Sequence, residues 1–325
     1  MSGRTLSLTL AVAAIQCAAL APSPASAQDA WPSRTIRLVT PSPAGVGSDA
    51  FARLYAEHLG RALGVTLIVE NKPGASGTLG TDAVAKAAPD GYTLLFSTSL
   101  PLTVAPHLFP KLPYKPASDF VPVAPLYRGG SFIIAGSAFT GSSIKDLVRQ
   151  AKEKPDSVLY ASYGAGGTAH LAMEQFQDAA GVQLVHVPYK QSAVNDVVSG
   201  QVTIGFEPPV STLPFIKSGR VKALAYTGDK RSTMLPDVPT LAESYPGLEI
   251  FTWVGIWAPQ GTPAPILRKL QAAITAATKL PEIQKAIADV GNESMSGTPA
   301  QMQAATVQES DRMGKLIKAK NIVLN

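Results

Sequence analysis

Tyr160-Ala161-Ser162-Tyr163-Gly164-Ala165-Gly166-Gly167-Thr168-Ala169 joins a short apolar run at 158–161 to a stretch of helical spacing at 168–180. A strand feeding a helix through a glycine-rich turn is the βα unit. Gly164, Gly166 and Ala169 also satisfy a relaxed dinucleotide fingerprint, which needs an acidic residue at the end of the next strand, about twenty residues on. Here that strand ends Val187-Pro188-Tyr189-Lys190, with no carboxylate, and the match lies mid-chain rather than at the first βα turn. A nucleotide site is therefore not expected, and the junction is left as a turn with free helix-start amides.

The same rhythm extends outward in both directions. Upstream, strands are expected at 35–40, 65–69 and 92–96. The first is followed by the loop Pro41-Ser42-Pro43-Ala44-Gly45-Val46-Gly47 and a helix that Ser48 or Asp49 can cap and Gly64 can end. Residues 111–125 are punctuated by proline and read as irregular. Downstream, strands are expected at 183–187, 202–206 and 221–227, with a short helix at 194–199. Three helices at 264–280, 282–290 and from about residue 298 close the chain. Two long apolar runs, 131–135 and 250–258, border the rhythmic blocks and read as segments crossing between two α/β lobes. The first is expected to run into a loop before the strand at 158–161. The expected architecture is α/β, two lobes joined by two crossing strands. Lobe 1 would hold residues 31–129 and 251–325, and lobe 2 residues 130–250.

The 325 residues are 46 % hydrophobic and only 16 % charged, enough to fill two cores and too apolar for a disordered chain. The formal charge of +5 is scattered, with no basic run interleaved with aromatics, so nucleic acid is not an expected partner. Arg4, the apolar stretch 6–20 and Ala25-Ser26-Ala27 make a signal peptide removed after Ala27, the alternative being a membrane anchor. Gln16 stands before Cys17 where a lipoprotein needs a small residue, and no twin arginine occurs, which favours the general secretory route to the periplasm. Cys17 is the only cysteine, so the mature chain has no disulfide, thiol nucleophile or cysteine metal site.

Enzyme chemistry is hard to assemble. The four histidines, His58, His107, His170 and His186, show no metal-ligand spacing, and neither HExxH, GxSxG nor a P-loop occurs. No catalytic residue, cofactor or metal is expected. What recurs is a loop rich in Gly, Ser and Thr at the C-terminal ends of strands, where open α/β sheets bind ligands. These loops are 41–49, Ser97-Thr98-Ser99, 162–170, Pro188 to Ser192 and Phe206-Glu207. Two lead directly into helices, whose N-terminal amides and positive dipole end accept anions. Ser48, Thr98, Ser162 and Thr168 add hydroxyl donors, and the His170 ring sits in the first turn of its helix. Each charge-assisted bond contributes about 1.5–3 kcal/mol, so four to six donors could offset desolvation and leave roughly −8 kcal/mol, a micromolar affinity. None of the loops contains an arginine. For several residues a bland alternative stands beside the functional one: His170 as an ordinary helix-terminal residue, Glu207 as a cap for the next helix, Lys190 as a solvated side chain.

Ile36-Arg37-Leu38-Val39 with Pro43-Ala44-Gly45 and Asp49, Val69-Glu70-Asn71-Lys72-Pro73-Gly74-Ala75, Ala88-Pro89-Asp90-Gly91-Tyr92, the Ser162–His170 loop, Val187-Pro188-Tyr189-Lys190 and Leu235-Pro236-Asp237-Val238-Pro239-Thr240 together resemble the Bug (TctC-like) receptors of tripartite tricarboxylate transporters. The likeness covers nearly all of the mature chain in order. It implies the type II periplasmic-binding-protein fold, of the Venus-flytrap kind, closing on a small carboxylate (a di- or tricarboxylate, an acidic amino acid or an aromatic acid) for uptake by a membrane permease or for sensing. Carried over, the ligand contacts are Ala44, Gly45, Val46, Gly47, Ser48 and Asp49; Ser97, Thr98 and Ser99; and Ser162, Gly166, Thr168 and His170. Tyr189 and Glu207 are further candidates. Gly45-Val46-Gly47-Ser48 and Gln191-Ser192-Ala193 depart from the family's glycines, Glu207 stands for a frequent Asp, and Leu100 stands where glycine is common. The larger, apolar Leu100 points to a ligand with some hydrocarbon or ring. The alternatives are a carboxylate-processing enzyme with the same cleft, and a cell-envelope protein whose cleft stays empty.

Overall fold

A computed structural model describes residues 31–45, 47–189 and 191–324. The signal peptide expected at 1–27, Val46 and Lys190 lie outside these described residues. Eleven described strands form two sheets. The first contains β1 (Ile36–Thr40), β2 (Leu67–Asn71), β3 (Thr93–Thr98), β4 (Phe120–Gly129), β10 (Thr252–Pro259) and β11 (Glu293–Ser294), in the order β2-β1-β3-β10-β4-β11. The second contains β5 (Phe132–Ala135), β6 (Leu159–Ser162), β7 (Val185–Pro188), β8 (Ile204–Glu207) and β9 (Lys222–Tyr226), in the order β7-β6-β8-β5-β9. β1, β2 and β3 pair in parallel, as do β6, β7 and β8. β10 runs antiparallel to both its neighbours β3 and β4, and β5 to both β8 and β9. In the second sheet only β5 runs in the opposite sense; in the first, β10 and the two-residue β11 both do. β5 and β10 are the strands the chain enters on arriving from the other sheet.

The runs expected to cross are each confined to one sheet: β5 belongs wholly to the second and β10 wholly to the first. The passages lie just before them. One is Gly129-Gly130-Ser131, and the other is the irregular stretch 227–251. Both glycines at the first passage are sterically required. A Cβ on Gly129 would stand 1.9 Å from Asn292 Oδ1, and one on Gly130 2.7 Å from the Tyr226 ring.

Two further expectations gave way. Residues 120–125 are strand, not irregular chain, and Ile144–Glu153 is a helix where a loop was expected. Pro122 and Pro125 fit in β4 because β11 covers only Tyr127 and Arg128, so the outer side of β4 is an edge where a missing N–H costs little. The register also shifts at Val254/Gly255 and Ile256/Trp257. The Ile144 helix is announced by Ser143, whose hydroxyl accepts the Asp146 N–H.

Burial explains the parallel strands. β1 reads Ile-Arg-Leu-Val-Thr with only Arg37 exposed, as for a strand covered on both faces. The first sheet packs Val39, Leu95, Trp253, Trp257 and Met302 into one cluster, and the second packs Ile133, Tyr160, Met173 and Phe176 into another. Trp257, 2 % exposed, is the largest fully buried side chain in the first core. Truncating it to alanine should cost about 3–5 kcal/mol. A third cluster joins the two sheets' helices: Leu171 of the Thr168–Ala180 helix packs with Val104, Leu108, Met313 and Ile317. Lys320, capping the Pro299–Ala319 helix, pairs with Glu174 at 3.4 Å and Asp178 at 2.5 Å.

Candidate functional site

The C-terminal ends of β3, β6 and β8 open onto a cleft of about 460 Å³ between the two sheets. Its floor comes from one face of the first sheet. Cross-strand partners share a face, and Thr98, Val254 and Tyr127 are direct partners across β3, β10 and β4. Two residues along, Thr252 faces Gly129, over which the Asn292 amide lies. Ser48 and Leu100 add to this side, Ser48 from the first turn of the Gly47–Leu63 helix. That helix also lays Phe51 against the Tyr127 ring at 4.7 Å. The opposite wall consists of Gly167, Thr168 and Ala169 at the start of the Thr168–Ala180 helix, with Tyr163, Phe206 and Pro208. None of the described lining residues carries a charge.

Gly167 is the N-cap of the second helix and supplies no side-chain cap, so the amides of Thr168, Ala169 and His170 have no intrahelical acceptor. The Leu171 N–H closes the first turn onto the Gly167 carbonyl at 3.0 Å. Thr168 Oγ1 lies 3.4 Å from Thr252 Oγ1, a long contact reaching from one sheet's helix to the other sheet's strand.

Ser48, Thr98 and Thr168 are the predicted site residues that the structure brings together on the cleft. The other described ones serve the loops behind it. Ala44, Gly45 and Gly47 are exposed. Asp49 is buried and accepts the Gly45 N–H at 2.9 Å, Asn71 Nδ2 at 2.8 Å and Arg53 Nε at 3.0 Å. Arg53 first, then the Gly45 amide and Asn71, hold its carboxyl at about 2 despite burial. This carboxylate pins the loop that carries Ser48. Ser99 donates to Glu309 Oε1 at 3.3 Å, and Trp253 Nε1 donates to Oε2 at 2.7 Å, while burial raises Glu309 above the usual carboxylate range. Ser97 is buried beneath Thr98, its hydroxyl without a partner.

Ser162 Oγ lies 2.6 Å from His186 Nε2 and accepts the Gly164 N–H at 3.1 Å. His170 faces inward rather than into the cleft: its Nδ1 accepts the Gly166 N–H at 2.9 Å, and its ring stacks on His186 with centroids 4.1 Å apart. Burial lowers the pKa of both rings, that of His186 to about 4, where the neighbouring His170 adds to the effect. Gly166 adopts φ +73°, and a Cβ there would lie 2.4 Å from Leu108 Cδ1. Tyr189 donates its hydroxyl to Asp196 at 2.7 Å.

Glu207 is 2 % exposed and accepts from Ser192 Oγ at 3.0 Å, the Ala193 N–H at 3.1 Å, Ser211 Oγ at 3.3 Å and the Tyr163 hydroxyl at 2.5 Å. Its charge is spent on tying loop 163 to the starts of the Val194–Ser199 and Pro209–Lys217 helices. Sequence reasoning missed Tyr127, Ser131, Thr252, Val254 and Asn292. The sequence signal for Tyr127 was masked by the prolines of β4, and nothing in the sequence brings Asn292 to Gly129.

A second depression of about 550 Å³ is lined by Lys152, Gln177, Gly181 and Lys320. It lies at the C-terminal end of the Thr168–Ala180 helix, where the dipole disfavours anions. Among the described residues no cluster of three His, Cys, Asp or Glu is placed to hold a metal, and no helix is long and apolar enough to cross a membrane.

Two mixed α/β sheets with a cleft at the strand ends match known proteins. The family model described as tripartite tricarboxylate transporter family receptor, TctC, matches residues 51–322. The chain belongs to this family. Protein BugT of Bordetella pertussis is 36 % identical over 300 residues, 91 % of this chain and 92 % of that protein. The solved periplasmic binding protein BugD is 36 % identical with a TM-score of 0.76, over 90 % of this chain and 100 % of BugD. Rpa4515 of R. palustris, solved with adipate, is 31 % identical with a TM-score of 0.79, over 90 % of this chain and 100 % of that one. This TctC family member thus has the fold of periplasmic solute-binding proteins and a solute-binding role.

Proposed function

We propose that this TctC protein captures a small carboxylate in the cleft, with the carboxylate group held by the amides at the start of the Thr168–Ala180 helix and by the hydroxyls of Ser48, Thr98 and Thr168. The observation that carries the reading is a cleft whose described lining is uncharged and into which a helix start presents uncapped amides. Such donors stabilise an anion without a cation, and the adipate-bound relative shows the same fold holding an acid. Predicted contacts in the loops behind the cleft act at one remove: Asp49 and Glu207 hold Ser48 and Tyr163 in place. The strands segregate into residues up to 129 and from 252 on one side and 132–226 on the other. We take these as lobes 1 and 2, which rock about Gly129–Ser131 and the 227–251 passage to enclose the ligand.

The chain would reach the periplasm by the signal peptide at 1–27 and hand its ligand to a permease of the tripartite tricarboxylate type. Binding without turnover is supported by Ser162, whose pairing with His186 is the nucleophile–base contact near the loops among the described residues. It is buried, and its oxygen already takes the Gly164 amide. A thermal-shift screen of di-, tri- and aromatic acids, each beside its methyl ester, tests the proposal. Acids should raise Tm with rising concentration and be recovered unchanged, while esters should not shift it. Equal shifts for ester and acid, or product formation, would overturn it.

A further inference from the structure

The free amides at the start of the Thr168–Ala180 helix point where the backbone ahead of them aims them. The chain enters through two left-handed glycines, Gly164 at φ +115° and Gly166 at φ +73°, residues that no Cβ holds to one conformation. Hydrogen bonds set the loop instead. Ser162 Oγ accepts the Gly164 N–H at 3.1 Å, and the Gly164 carbonyl accepts the Gly167 N–H at 3.3 Å. The Gly166 N–H goes to His170 Nδ1, a side chain of the helix itself, at 2.9 Å. That bond fixes the peptide ahead of the N-cap, and with it the direction of the Gly167 carbonyl and the Thr168 amide.

His170 is the third residue of its helix, where a capping box uses Glu or Gln to accept a backbone N–H ahead of the first turn. A glutamate there would bring negative charge to the amides that must hold an anion. A neutral imidazole accepts an N–H without that charge. The bond needs Nδ1 bare, so the ring proton sits on Nε2, which faces Glu174 Oε1 at 3.8 Å. Among the described residues the ring meets His186 of β7, stacked at 4.1 Å and itself stacked on Tyr160 of β6 at 4.9 Å. Glu174, one turn along, accepts from the Tyr160 hydroxyl at 3.3 Å and Gln177 Nε2 at 2.9 Å, and pairs with Lys320 at 3.4 Å. Burial holds the His170 ring below its ordinary 6.5, against the pull of Glu174.

We infer that His170 is a positioning residue for the bound carboxylate: only its neutral ring holds the Gly166 amide, and a proton on Nδ1 turns that acceptor into a donor and frees the helix start. The inference rests on the carboxylate reading of the cleft and adds a pH dependence to it. Protonation weakens binding, the opposite sign from a histidinium touching the ligand, whose charge would strengthen it.

Calorimetric titration with adipate, citrate and benzoate, from about pH 8 to about pH 5, tests this in the wild-type protein and in His170→Asn. Asparagine carries Oδ1 at the branch position of Nδ1, accepts as it does, and does not titrate. For each acid that binds, the wild-type Kd should rise relative to that of the asparagine variant as pH falls, approaching roughly tenfold as the ring charges. The acid's own protonation is common to both proteins and cancels in the ratio. At about pH 8 His170→Asn should bind nearly as the wild type does, and His170→Ala roughly tenfold more weakly. Nitrogen NMR of the wild-type protein serves if the variants do not fold. A coupling across the N–H···N bond should join Gly166 to His170, and the acid should lower the pH at which this ring takes its proton. A Kd ratio independent of pH, an asparagine variant no better than the alanine one, or a ring whose ionisation the acid leaves unmoved or raises would overturn the inference while sparing the carboxylate reading. Binding of none of the three acids would remove both.

Discussion

Replacing Thr168 with valine keeps the shape at the start of the Thr168–Ala180 helix and removes one hydroxyl. In the free protein that hydroxyl meets only Thr252 Oγ1, at 3.4 Å, too long a contact to add much stability. Gly167, not Thr168, is the N-cap, so the helix keeps its start. Unliganded stability should move by no more than about 0.5 kcal/mol. Affinity should change far more. A hydrogen bond to a charged oxygen contributes about 1.5–3 kcal/mol, and every 1.4 kcal/mol is about tenfold in Kd. Thr168→Val should therefore weaken the best-bound acid by roughly ten- to hundredfold, with residual binding from the backbone amides that the substitution leaves in place. Calorimetric titration reads the affinity, and urea unfolding of the free protein reads the stability. An unchanged Kd would refute the placement of the carboxylate, and a large loss of stability with it would show that the hydroxyl is structural.

Gly166→Ala imposes a left-handed conformation on a residue with a Cβ, costing about 1–2 kcal/mol, and drives that carbon against Leu108, costing about 1–3 more. Paired with Leu108→Ala, the double variant should be less destabilised than the sum of the singles by the overlap part, and strict additivity in urea unfolding would contradict the contact. His186, with its pKa lowered from 6.5 to about 4 chiefly by burial, stays neutral in the fold while the unfolded chain takes up a proton. Its contribution is complete above about pH 6.5 and is lost as pH falls from there to about 4. Tm should fall across that window, and the slope should flatten in His186→Asn; an unchanged slope would assign the acid lability elsewhere. Glu207→Ala leaves the buried Ala193 N–H without its acceptor, together with the Ser192 and Tyr163 hydroxyls. It should cost about 3 kcal/mol or more in the same unfolding assay, and a loss below about 1 kcal/mol would show that the carboxylate is dispensable.

The βα rhythm was legible because buried parallel strands are continuous apolar runs and their helices keep a 3.6 period. Thr168–Ala180 and Val194–Ser199 came out at the expected bounds. β4 was not legible, since Pro122 and Pro125 are breakers in any strand except one with an open edge, and edges are a property of the assembled sheet. The cleft divides the same way. Ser48, Thr98 and Thr168 announce themselves as hydroxyls beside strand ends. His170 and Glu207 look like ligand contacts in the sequence because each follows a strand-end loop, yet Gly166, His186 and the Ser192–Ala193 turn claim their polar atoms. Asn292 comes from a loop more than 120 residues along the chain from Thr168 and meets the cleft only through the pairing of β11 with β4.

A crystal structure of the protein with its tightest-binding acid tests the central claim most directly. The ligand carboxylate should lie about 3 Å from the Thr168 and Ala169 amides, facing Ser48 and Thr98, with no lysine or arginine side chain in contact. A carboxylate held instead by a cation, or seated in the depression beside Lys152 and Lys320, would contradict the account.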